Sequence, residues 1–83
     1  ADNDADGAAA AYETLLAQLP AEDPLRPEVL YWLGRARAEQ GRPDEAVEAL
    51  REAAGDPRVR ARARAFHEAL RLGQRAVAAL PLS

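Results

Sequence analysis

The chain has 83 residues, 48% of them apolar, with four aromatic side chains, no cysteine and no lysine. That length makes one domain with a small core, and the missing thiols exclude disulfides and thiolate metal sites. The net charge of −3 conceals a gradient: residues 1–28 carry seven acids and one Arg (−6), residues 29–57 six acids and four Arg (−2), and residues 58–83 one acid and six Arg (+5).

The elements follow in chain order. Residues 1–6 are acidic and polar and read as a disordered lead-in. Asp4 or Asp6 can cap a first helix over about 8–19, where Ala8, Ala11, Tyr12, Leu15, Leu16 and Leu19 recur at helical spacing. Pro20 ends it, and Pro20, Pro24 and Pro27 punctuate a tight connector. Pro27 suits the first turn of a second helix over about 27–40, and Gly41 suits a left-handed cap. Pro43 opens a third helix over about 43–54, which Gly55 closes. Asp56-Pro57 is the clearest start signal, an N-cap residue followed by proline. From there Val59, Ala63, Phe66, Leu70, Gly73, Val77 and Leu80 alternate at spacings of four and three, predicting one long helix over 57–80. Gly73 weakens it, and marks a close contact or a slight break. No strand pattern occurs, and helices joined by short loops pack as antiparallel neighbours.

Leu30, Leu33, Gly34, Gly41, Ala46, Leu50 and Ala53 are the most informative set. Their spacing describes two antiparallel helices so close that the contact admits small residues at Gly34 and Ala46. The chain also repeats itself. Ala8 and Ala46, like Tyr12 and Leu50, are 38 residues apart, and Leu33-Gly34 recurs as Leu72-Gly73 after 39. A period in this range marks helical-hairpin repeats.

On these residues the chain resembles the tetratricopeptide repeat family. The family pattern W-x2-L-G-x2-Y…A-x3-F…P falls on Leu30, Leu33, Gly34, Arg37, Ala46, Leu50 and, one residue early, Pro57. The small positions agree, whereas leucines replace two large aromatics and Arg37 replaces the tyrosine. Residues 27–57 make one full repeat, and residues 8–20 look like the second helix of a preceding one. The proline-flanked connector and Tyr31-Trp32-Leu33-Gly34 are similar to the repeats of bacterial Tol–Pal envelope proteins. That likeness implies a bacterial periplasmic or cytoplasmic setting. Residues 58–80 depart from the repeat and look like a terminal capping helix. The resemblance implies an all-α fold of antiparallel helical hairpins: a fragment of a right-handed α-solenoid, folded as one domain over 7–83, with a long C-terminal cap.

On a helical wheel Leu30, Leu33, Gly34 and Arg37 share the face that meets the third helix. Glu28, Trp32, Arg35 and Glu39 share the opposite face, with Tyr31 at its shoulder. In tetratricopeptide proteins that face lines the groove for partner segments. Glu28, Tyr31, Trp32, Arg35 and Glu39 are therefore the candidate partner-binding residues, of types that dominate binding surfaces. Trp32 has a competing role, packing on Tyr12 and Leu16 of the first helix, and Arg35 has one as well, a salt bridge to Glu28 or Glu39. The family's lysine clamp for C-terminal carboxylates is absent.

Arg58, Arg60, Arg62 and Arg64 flank the apolar seam, as arginines do when their stems cover a hydrophobic stripe. Nucleic-acid binding would need a broader basic face. No apolar run approaches the ~20 residues of a membrane span, and the start has no basic leader. With no methionine, the chain reads as a processed product or a piece of a longer protein. His67 is the sole histidine and has no thiol or second imidazole to share a metal. Thr14, Ser83 and two tyrosines are the only hydroxyl residues, too few for a nucleophile with its base. The sequence thus reads as a cofactor-free, non-catalytic module that binds another protein's peptide or helix along the 28–39 face. The alternatives are self-association of the acidic and Arg-rich ends, or a structural segment of a larger solenoid.

Overall fold

The computed structural model describes the backbone of residues 4–79 and the side chains of residues 4–73. Among the described residues four α-helices follow one another: α1 (Ala5–Gln18), α2 (Leu25–Glu39), α3 (Pro43–Ala53) and α4 (Pro57–Ala79). There is no strand among the described residues. α2 is central and packs against α1, α3 and α4; α4 also packs against α3, and among the described residues α1 has α2 as its one helical neighbour.

Two clusters hold these helices together. Leu30 and Tyr31 of α2, Leu50 and Ala53 of α3, and Val59 and Ala63 of α4 form one, with Phe66 and Leu70 packed against it. Ala9 of α1, Leu33 and Ala36 of α2, and Ala49 of α3 form the other, flanked by Ala8, Tyr12 and Leu16. With so many alanines each contact buries little area, so the helices must come close. Gly34 sets that approach. A Cβ on it would stand 2.9 Å from two carbons of Leu50 and 3.2 Å from the Ala46 carbonyl oxygen. Leu50 is 1% exposed and Ala46 fully buried, so neither has room to retreat.

The turns follow local chemistry. Gly41 takes φ +78°, the left-handed region that favours glycine. Its N–H donates to the Ala38 carbonyl and the Arg42 N–H to the Arg37 carbonyl, the paired bonds of a Schellman turn. The Asp56 carboxylate accepts the Arg58 N–H at 2.8 Å, which caps α4. Arg58 also folds back to donate to the same carboxylate at 2.8 Å and 3.1 Å.

Several expectations need correction. α1 starts at Ala5 rather than Ala8, so Ala5 and Asp6 of the expected lead-in are helical; residues 1–3 lie outside the described set, as does Leu80. Ala11 is exposed and the stripe from Ala8 to Leu19 is half-buried, because α1 has a single neighbour to cover it. α2 starts at Leu25, two residues before Pro27, because Asp23 accepts the Leu25 N–H at 2.8 Å. Pro27 still falls within the first turn, where a missing N–H loses no helical bond. Gly73 neither breaks α4 nor marks a close contact, since nothing lies within 4 Å of its Cβ position.

The two glycines therefore predict opposite outcomes. Gly34→Ala gains up to ~1 kcal/mol of helix propensity but loses about 1–3 kcal/mol to overpacking, so chemical denaturation should show net destabilisation. Gly73→Ala should stabilise by up to about 1 kcal/mol. Equal shifts of one sign would refute the close-contact account. Asp56 gives a pH test. The Arg58 side chain and then its backbone N–H hold this carboxyl at about 2, below its ordinary 3.8. A depressed acid stabilises the fold above its unfolded pKa and stops doing so as pH falls through the folded one. The contribution is thus lost between about pH 4 and pH 2. Side-chain NMR should show Asp56 titrating near 2, and Arg58→Ala should raise that midpoint without restoring the ordinary value.

Candidate partner-binding face

α2 places the five candidate residues on two sides of one helix. Glu28 is ion-paired with Arg62 of α4. Tyr31, expected at an exposed shoulder, is 6% exposed and belongs to the core; the correction follows from α4, which lies over that side of α2. Its ring stands edge-on to Trp32 at 5.3 Å and to Phe66 at 6.5 Å. Trp32 is 42% exposed. Glu39 is exposed and lines, with Trp32, Arg35 and Ala36, an open trough of about 300 Å³ against Asp4, Ala5, Ala8 and Tyr12 of α1.

Arg35 joins the two sides. Its guanidinium carbon sits 5.3 Å from the centre of the Trp32 ring, 5.0 Å from Phe66 and 5.9 Å from Tyr31. One of its nitrogens donates to the Tyr31 hydroxyl at 3.2 Å. A cation among three ring faces is attracted by their quadrupoles and loses little rotamer freedom on meeting a ligand. The salt bridge expected from Arg35 to Glu28 or Glu39 does not form among the described residues; Glu28 is taken by Arg62.

Sequence reasoning set Tyr12 of the first helix beside Trp32 but missed the other contributions of the neighbouring helices. Arg62 and Phe66 of α4 border the face beside Glu28, Tyr31 and Arg35, and Ala5, Ala8 and Tyr12 of α1 wall the trough. One signal was available for α4: Glu28 and Arg62 are 34 positions apart, one repeat length for this kind of hairpin.

The basic end of the chain has mostly local duties. Arg60 donates to the Ala54 carbonyl at 2.9 Å, satisfying the end of α3. Arg58 is held by Asp56, Arg62 by Glu28 and Arg71 by Glu68, each raising the guanidinium's affinity for its proton. Arg64 is exposed. His67 is half-buried on α4. Among the described residues no three His, Asp or Glu side chains converge on a point that could hold a metal ion, and no helix is long and apolar enough to cross a membrane.

Residues 1–61 match the tetratricopeptide repeat family. No curated protein and no solved structure matches the chain. The likeness to Tol–Pal envelope proteins therefore rests on the proline-flanked connector and Tyr31-Trp32-Leu33-Gly34 without support from a relative. With 61 of 83 residues matched and four helices packed as successive hairpins, the chain belongs to the tetratricopeptide repeat family.

Proposed function

We propose that this chain is a non-catalytic protein-binding module whose partner segment, a helix or short peptide, lies along α2 in the trough bordered by Trp32, Arg35 and Glu39. Tetratricopeptide repeats mediate protein–protein interaction; the partner's seat is the added step. The observation that carries it is the state of Trp32 and Arg35. A tryptophan 42% exposed is fixed on the central helix beside an arginine already oriented by three rings. Tryptophan and arginine dominate binding energies, and rigid presentation lowers the ordering cost of association. Glu28 and Tyr31 act behind this surface, Glu28 by holding Arg62 and Tyr31 by supporting the Trp32 and Arg35 side chains.

The test is selection of helical peptides from a display library on the folded chain, followed by titration of the selected peptides. Trp32→Ala should weaken binding by about 30-fold or more, the effect of losing a hot-spot residue, and Arg35→Ala by about tenfold. Arg64→Ala, on the exposed side of α4, should leave affinity unchanged. Peptides that bind Trp32→Ala as tightly as wild type would place the partner elsewhere.

A further inference from the structure

α1 and α4 each present a face whose counterpart elsewhere in the chain is buried. α1 aligns with α3 at an offset of 38, so Ala8 and Tyr12 correspond to Ala46 and Leu50. Ala46 and Leu50 are 0% and 1% exposed because Gly34 of α2 presses onto them. Ala8 and Tyr12 are half-buried, and they open instead into the trough beside Trp32. The α1 face is thus shaped like the one that receives a Leu-Gly pair, and among the described residues none is seated there.

The chain holds a second Leu-Gly pair. Leu72-Gly73 of α4 repeats Leu33-Gly34, yet Leu72 is 52% exposed and the Cβ position of Gly73 meets nothing within 4 Å. The register explains the exposure. α4 meets α2 at an offset of 34, as Glu28 and Arg62 show, whereas the pair recurs at 39. It is carried five residues, about 7.5 Å, beyond its counterpart's level on the stack. Ala69, Leu72 and Gly73 are all exposed, where Leu30, Leu33 and Gly34 are all buried.

Resting on the trough assigned above as the partner's seat, we infer that the occupant is a second copy of this chain: the end of α4, around Leu72-Gly73, docks in the α1–α2 trough with Gly73 against Ala8 and Tyr12. Charge supports this occupant. The trough is rimmed by Asp4 and Glu39 beside the ring-held Arg35, and residues 69–83 contain Arg75 and Arg71, the latter also paired with Glu68, and no acidic residue. More broadly, residues 1–28 sum to −6 and residues 58–83 to +5, of which the Glu28–Arg62 pair is satisfied within the chain. Donor and acceptor are different surfaces, so the contact is head-to-tail and propagates into open chains instead of closing as a symmetric pair.

Analytical ultracentrifugation of the whole chain tests the inference. Wild type should form dimers and larger species as concentration rises, and raising salt from about 50 to 500 mM should weaken association severalfold as screening shortens. Gly73→Leu, whose added side chain enters open space in the single copy, should remove the donor surface. Trp32→Glu should remove the acceptor surface. Each variant, shown to be folded by circular dichroism, should be monomeric by itself. Mixed, they should form a one-to-one complex and nothing larger, since Gly73→Leu keeps an intact trough and Trp32→Glu an intact α4. A monomeric wild type at several hundred micromolar, or a mixture that fails to pair, overturns the inference. Peptide binding to the trough by a monomeric wild type would then leave the proposed function standing, whereas loss of both results would remove the trough as a binding site.

Discussion

The approach of Gly34 to Leu50 and the Ala46 backbone is the contact on which the other packing depends. A core built on Ala46, Ala49, Ala53, Ala63, Ala9 and Ala36 cannot gain much from any one side chain. It gains instead from the number of atoms that meet when two helix backbones lie close, because dispersion falls steeply with a gap of even half an ångström. A methyl group at Gly34 would push α3 away from α2 along its length. Leu50 and Ala53, displaced, would then lose Val59 and Ala63 of α4, since one cluster joins all three helices. The tolerance is therefore tight at one position and its consequences reach α4.

Arg37 shows how the chain compensates for a scarcity of large aromatics. In the family pattern its position is held by tyrosine, and here the arginine reaches Glu13 of α1 and Glu45 of α3 at once. Its own side chain is 15% exposed while both partners are about half exposed. Pairs with solvated carboxylates contribute modestly; the larger effect is positional, because one side chain fixes three helices in register. Arg26 acts similarly at the other end of α2, donating to the Leu16 carbonyl at the end of α1 and approaching Glu52 of α3 at 3.7 Å. Arginine's several donors make such bridging possible, and its stem buries apolar area that a short acid could not.

Much of this was legible in the sequence. Proline and glycine carry their meaning locally: Pro43, Gly41 and Asp56-Pro57 act through their own φ, N–H or carboxylate, so a reader needs no tertiary information to place those ends. The Gly34–Ala46 contact was legible too, because small residues at matched spacing on two helices have few other uses. The start of α2 was not, since the turn in which Asp23 accepts the Leu25 N–H competes with Pro27 as a first-turn residue and local rules favour either. Tyr31 was misplaced for a different reason. A helical wheel gives its angle on α2 correctly, but whether that angle faces solvent depends on where α4 lies. The α4 sequence departs from the repeat in its motif residues and keeps only the 34-residue offset from α2, too faint a signal to place Phe66 over Tyr31.

Trp32 and Phe66 make the same point about the candidate face. They stand 34 positions apart, as do Glu28 and Arg62, so they occupy comparable places on α2 and α4. Phe66 turns back onto Tyr31 and Arg35 of the preceding helix in the stack and is partly buried there. Trp32 turns the same way, toward the side of α1, and among the described residues it meets a trough in place of a helix bearing its own tyrosine and arginine. Its 42% exposure therefore needs no special loop or strained backbone. The helix before α4 in the stack covers Phe66, and among the described residues no helix stands in that place for Trp32. Exposed apolar surface of this kind, flanked by an oriented cation, is what a docking helix can cover at little ordering cost. The same repetition that builds the core thus supplies the surface proposed to bind.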